Sequence, residues 1–157
     1  MSLEERQEMY SERYEFSAIN SLLDFEFFSE GPNGKIKKVV RFTLQSFNGI
    51  TYFNLGFGDW DNEKKHIDDF AKSNNNDAKK ILVTVAVIVL EFTNRFPGAL
   101  IYAQGSTPGR TRLYQIGIAT NWEEIGHLFY VYGQIKGEWF PFVKNTNYEG
   151  FLGFRKK

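Results

Sequence analysis

From Leu23 onward the apolar residues fall at every second position. Leu23, Phe25 and Phe27 point one way while Asp24, Glu26 and Phe28 point the other, which is the period of a half-buried strand. Glu30-Gly31-Pro32-Asn33-Gly34 combines a proline of fixed φ with two glycines, so a turn joins this strand to a second over 35–45. On that second strand Val40, Phe42 and Leu44 share the apolar face, and Val39, Arg41, Thr43 and Gln45 form a polar, partly basic one. A further turn at Asn48-Gly49 leads into a third strand from Thr51, which buries Phe53, Leu55 and Phe57. The pattern predicts an antiparallel meander, followed by a short fourth strand over 65–70 within the polar stretch 59–76.

The period changes at residue 77. From a cap at Asn76 or Asp77 the chain is apolar on nearly every side as far as Phe96, where Pro97-Gly98 stops it. Its β-branched content favours a strand, but the length, the cap and the stop favour a helix packed deeply against a sheet. Residues 100–104 then read as a short buried strand. Thr107 as cap with Pro108 at the first helical position starts a second helix that holds Leu113, Tyr114 and Ile116 to Ile118 and ends around Gly117, and a further helical turn follows over 121–124. Residues 129–142 read as a hairpin folded at Lys136-Gly137, and 148–154 as an edge strand closed by Arg155-Lys156-Lys157. The segment up to Glu15, polar and of mixed charge, is a frayed helix or a strand lead-in. The expected fold is α+β: a curved antiparallel sheet packed on one long central helix, with a second short helix and a C-terminal hairpin, in a single domain over 1–157.

Composition narrows the class. With 42% apolar and 17% aromatic residues, the 157-residue chain is rich enough in large rings to bury one core without disulfides. It has no cysteine, which removes disulfide frameworks, thiolate nucleophiles and Cys-based zinc sites together. The run Ile81 to Leu90 is about half of what a membrane span needs and is bracketed by Lys79, Lys80 and Glu91. It reads as a core element, the partners exclude a membrane, and the expected location is the cytoplasm. The 19 basic and 19 acidic residues cancel, so a role for charge depends on local clusters.

Two such clusters stand out. Gly105-Ser106-Thr107-Pro108-Gly109-Arg110-Thr111-Arg112-Leu113-Tyr114 sets hydroxyls and two arginines at a helix N-terminus, where free N–H groups and the helix dipole attract an anion. Ser106, Thr107, Arg110, Arg112 and Tyr114 are therefore candidate ligand contacts; the alternative is a capped helix whose arginines pair with carboxylates. Lys35, Lys37, Lys38 and Arg41, with Phe28, Tyr52 and Trp60 on neighbouring strands, offer charge for phosphates and rings for stacking, as single-stranded nucleic acid requires. The alternative there is a solvated sheet face. Asp59, Asp61 and Glu63 alternate but lack the glycine of a calcium loop, and His66 and His127 have no third partner in the pattern, so neither a metal site nor a catalytic residue is assigned. No cofactor motif is present.

Two resemblances add to this. Arg110 to Gly117 is similar to the last helix of the N-acetyltransferase superfamily, but Ser73-Asn74-Asn75-Asn76 stands where that family's glycine-rich pyrophosphate loop would lie. More of the chain resembles a family of small, functionally uncharacterised bacterial domains. The stretches are Phe27-Phe28-Ser29-Glu30-Gly31-Pro32, Gly34-Lys35-Ile36-Lys37-Lys38-Val39-Val40, Asn54-Leu55-Gly56-Phe57-Gly58-Asp59, Gly105-Ser106-Thr107-Pro108, Arg110-Thr111-Arg112-Leu113-Tyr114, Tyr132-Gly133 and Gly137-Glu138-Trp139. This resemblance implies a self-contained cytosolic domain and hands over no activity, substrate or cofactor. The leading expectation is a non-enzymatic binding module for an anionic ligand, either single-stranded nucleic acid or a phosphorylated small molecule. An acyltransferase-like enzyme and a homodimeric interaction subunit are the alternatives.

Overall fold

A computed structural model describes residues 12–19, 22–68 and 75–157. The strands are β1 (Phe16–Ile19), β2 (Asp24–Gly31), β3 (Gly34–Phe47), β4 (Ile50–Asp61), β5 (His66–Asp68), β6 (Ile101–Ala103), β7 (Phe129–Ile135), β8 (Glu138–Pro141) and β9 (Phe151–Arg155). The helices are α1 (Ala78–Arg95), α2 (Pro108–Thr120) and α3 (Trp122–Leu128). Among the described residues the fold is α+β, a largely antiparallel, curved open sheet with three helices. Its strand order is β1-β2-β3-β4-β6-β9-β7-β8, and β5 pairs with β4 off this path.

The alternating pattern produces the meander as expected: Phe25 lies opposite Val40, and Val40 opposite Phe57, with all three buried. Leu44 departs from it, being 58% exposed. The β3–β4 ribbon runs on to the turn at Asn48-Gly49, and Leu44, Phe47 and Ile50 near its tip are all exposed, beyond the helix cover. Val39 departs the other way. It is buried on the face expected to be polar, between Glu26 and Gly58 across the strands and Lys37 and Arg41 along its own.

The 77–96 stretch is helical despite its β-branched residues because both sides of the helix are covered. Ile81, Val85, Ile88 and Phe92 pack with Phe25, Phe42, Leu55 and Phe57 of the sheet, while Val83, Val87 and Leu90 pack around Phe129 of β7. The Phe92 ring stacks flat on Phe42, with centroids 3.8 Å apart and planes 4° apart. Two fully buried threonines on α1 bond to the carbonyl four residues back, Thr84 to Lys80 and Thr93 to Val89. Each also receives a donor from afar: Thr84 Oγ1 takes the Tyr14 backbone N–H at 2.9 Å, and Thr93 Oγ1 takes Arg155 Nε at 2.9 Å.

Elsewhere the elements extend the expected pattern, and one expectation is corrected. Of the segment up to Glu15, residues 1–11 lie outside the described residues; directly after it a strand that the pattern did not predict, β1, pairs antiparallel to β2. The expected second helix and the further helical turn both form: α2 runs on to Thr120, past the expected end near Gly117, and α3 starts directly after Asn121 and reaches Leu128. Residues 148–154 do not form an edge: β9 lies inside the sheet, hydrogen-bonded to β6 on one side and β7 on the other, with Phe151 buried. The sheet also contains one parallel pair, β4 with β6, made possible because α1 carries the chain across between them. The 129–142 hairpin forms as β7 and β8, and β8, short, exposed and ending in Pro141, is the protected edge. For the fourth strand, residues 66–68 are extended as β5, and the rest of the expected 69–70 lies outside the described residues.

At the start of α1 Asp77 occupies the cap position without a side-chain cap bond. Its carboxylate instead accepts hydroxyls from Tyr14, at 2.6 Å, and from Ser29. Asn75 donates to Ser29 Oγ and the Gly34 carbonyl, each at 3.0 Å, tying the helix entry to the β2–β3 turn. Burial, reinforced by the bond to Asp77, holds the Tyr14 phenol above its ordinary pKa. The folded state therefore keeps the proton longer than the unfolded chain, and the stability this group contributes is full below about pH 10 and falls as pH rises beyond it. Tyr14→Phe is expected to cost about 1–3 kcal/mol at neutral pH. The gap between wild type and variant should narrow above about pH 10, as read by urea unfolding; equal stability at neutral pH contradicts the assignment.

Candidate functional site

Thr107 caps α2 as its sequence position implies, its Oγ1 accepting the Arg110 N–H at 3.2 Å. The Thr111 N–H goes to the Thr107 carbonyl at 3.0 Å, and Pro108 has no N–H to give. The dipole end of α2 is thus largely satisfied by its own cap, and of its first three positions only Gly109 retains an N–H for a ligand. Residue 105 must be glycine: a Cβ there would stand 2.4 Å from the Thr111 backbone nitrogen, because the strand-to-helix loop lies directly on the helix's first turn. Thr111 Oγ1 closes that contact by accepting the Gly105 N–H at 3.0 Å.

Beside this turn opens a cleft of about 530 Å³. Its walls come from three places: the loop Gln104 to Pro108, the α2 residues Thr111, Arg112 and Gln115, and the segment Asn147 to Glu149 before β9. Several wall groups are already engaged. Gln104 accepts the Tyr102 hydroxyl at 3.0 Å, Gln115 donates to the Thr146 carbonyl, Tyr148 accepts the Val143 N–H at 3.0 Å, and Glu149 is drawn to the β7–β8 turn by the Lys136 N–H at 2.6 Å. Arg112 and Ser106 are exposed, and no described residue pairs with either side chain.

The five candidates of this segment therefore divide. Ser106, Thr107 and Arg112 line the cleft. Arg110 does not: its guanidinium lies 5.5 Å from the centroid of Phe57, over the ring. Tyr114, one helical turn further on, faces the core, packs edge to face on Phe57 and reaches the Leu55 carbonyl at 3.4 Å. The α2 period explains the split, since 110 and 114 share one face and 112 lies on another. Gln115, Asn147 and Glu149 were not legible as site residues, because only the non-local pairing of β9 with β6 brings their segments together.

The basic strand resolves into separate partnerships. Arg41 grips Asp24 with two bonds of 2.9 and 3.2 Å, and that carboxylate pushes the guanidinium further up from its usual pKa. Lys37 pairs with Glu26 at 3.0 Å and lies 5.7 Å from the Trp60 ring centroid, and Lys35 lies 4.8 Å from that of Phe28. Lys38 is on the opposite face from these three, buried toward the helices in an ion pair with Asp59. In the acidic loop, Asp61 accepts the N–H groups of Glu63 and Lys64 at 3.0 Å each, and the Lys64 bond holds its carboxyl below the ordinary range. Both histidines are exposed, and no cluster of three His, Asp or Glu side chains is placed to hold a metal among the described residues. Nor is any described helix long and apolar enough to cross a membrane.

Because Lys38 and Asp59 are mutually compensating in a low-dielectric setting, removing one strands the other. Lys38→Met is expected to lower stability by about 3–5 kcal/mol, and Lys38→Met with Asp59→Leu to recover most of it. Urea denaturation of the three proteins checks this, and a single variant as stable as wild type overturns it.

No curated protein and no solved structure matches the chain. A family model does, over residues 10–156, and on a match of that extent the protein belongs to DUF6934, a family of unknown function.

Proposed function

We propose that the protein is a non-enzymatic binding domain, and that its ligand is a small phosphorylated molecule held in the cleft at the start of α2. On this reading α1 is the central helix of a rigid scaffold and the cleft is its recognition surface. The observation that supports it is the Arg112 guanidinium, exposed at a cleft of ligand size, without a described partner, beside the hydroxyl of Ser106. A planar cation with five donors is suited to phosphate oxygens, and Ser106 and the Gly109 N–H supply neutral donors close by. Thr107 contributes by holding the loop in place, since its Oγ1 is already committed to the cap.

A longer polyanion is less well supported. A single-stranded nucleic acid needs several available cations in a row, and Lys37, Lys38 and Arg41 each face a carboxylate already. The acyltransferase-like alternative asks for an anion site at the start of α1, where the carboxylate of Asp77 itself lies with hydroxyls bonded to it.

Titration calorimetry with a nucleoside monophosphate and with inorganic phosphate tests the reading. Wild type is expected to bind, and Arg112→Gln to bind about 10–100-fold more weakly, which is the loss of one charge-assisted contact. Equal affinity in the two proteins, or no heat with either ligand, would sink it.

A further inference from the structure

A second cavity, of about 110 Å³, lies under the helices, and its lining is apolar. Its floor crosses the sheet in register, from Ile101 of β6 to Gly153 of β9 to Val131 of β7. Its roof is a helical stripe of α1, Leu82, Ala86 and Val89, at the spacing that puts residues on one face. Gly117 of α2 closes a side, its Cα so near Leu82 that a Cβ would come within 3.3 Å of that side chain. The one polar side chain in the lining, Tyr114, turns its hydroxyl to the Leu55 carbonyl. No polar side chain is left to hold water there, so nothing in the lining competes with an apolar occupant.

Gly153 is what keeps the space open. Glycine in a strand interior weakens it, and is expected where another backbone or a ligand approaches closely. No protein atom does so here: a Cβ at 153 would find its nearest neighbour, the Tyr130 carbonyl oxygen, 3.7 Å away. The position accepts a side chain sterically and lacks one, at the floor of a gap between otherwise close-packed hydrophobic clusters.

We propose that this cavity is a binding site for a compact apolar group, a single aromatic ring or a short branched alkyl chain. Its size is somewhat below the roughly 150 Å³ of an aliphatic-lined cavity that takes up benzene. The partly exposed Ala86, at the roof, marks a side from which such a group enters. The cavity's lining shares no residue with that of the polar cleft.

The test is benzene titrated into the intact protein, followed by methyl NMR and by thermal unfolding. The expected result is saturable shift changes confined to the methyls of Leu82, Val89, Ile101 and Val131, and a melting temperature raised by about 3–6 °C at ten times Kd. Gly153→Val, which fills the floor, should abolish both responses; Gly153→Ala, a smaller change, should weaken them and serves if the valine variant does not fold. Absent or non-saturating shifts in wild type, shifts scattered over the surface, or an undiminished response in the folded Gly153 variants would show a packing void only and overturn the proposal.

Discussion

The structure turns on covering α1. Ten of its eighteen residues are buried, and they lie all around the helix rather than along one stripe. A flat sheet can cover only one side of such a rod. The sheet meets this by curving, so that β2, β3 and β4 take the face carrying Val85 and Phe92, and β7 reaches the face carrying Val87 through Phe129. The parallel junction of β4 with β6 follows from the same requirement, since α1 must cross the sheet between them. Burying polar positions on such a helix is tolerable only if they are bonded, and Thr84 and Thr93 are, each serving also to anchor a distant part of the chain.

On the β2–β3–β4 ribbon the charges are neutralised locally. Three basic residues of β3 are neutralised across strands, Lys37 with Glu26, Lys38 with Asp59 and Arg41 with Asp24, and the β2–β3–β4 register sets all three pairs. A register slip of one residue would turn Lys38 outward and bring an apolar neighbour to face Asp59, so these pairs help to specify the pairing as well as to stabilise it. Arg112, at the cleft, pairs with no described carboxylate, whereas Lys37, Lys38 and Arg41 of the basic strand each do.

What was legible in the sequence was what depends on neighbours in the chain. The strand pairing of 23–28 with 35–45, the Gly-Pro and Asn-Gly turns, the Thr107-Pro108 helix start and the hairpin at Lys136-Gly137 all act locally, and all appear. The site was half legible for the same reason: the cap and the hydroxyls could be read, but whether Arg110 or Arg112 faced the opening depended on where Phe57 lies, which no local pattern states. Leu44 and Val39 exchanged their expected environments because cover depends on where α1 ends and on side chains from other strands. The interior place of β9 was hidden most completely, since a five-residue run with one fully buried residue looks like an edge.

That place has a bearing on biosynthesis. β9 is the seam between β6 and the β7–β8 hairpin, yet it is translated after both, so neither half of the sheet can be joined to the other while the ribosome is still making residues 142–150. Until then the free side of β6 presents unsatisfied backbone groups beside an apolar surface, a template for wrong partners. Closure requires contacts between strands separated by about fifty residues, the kind of non-local pairing that slows folding.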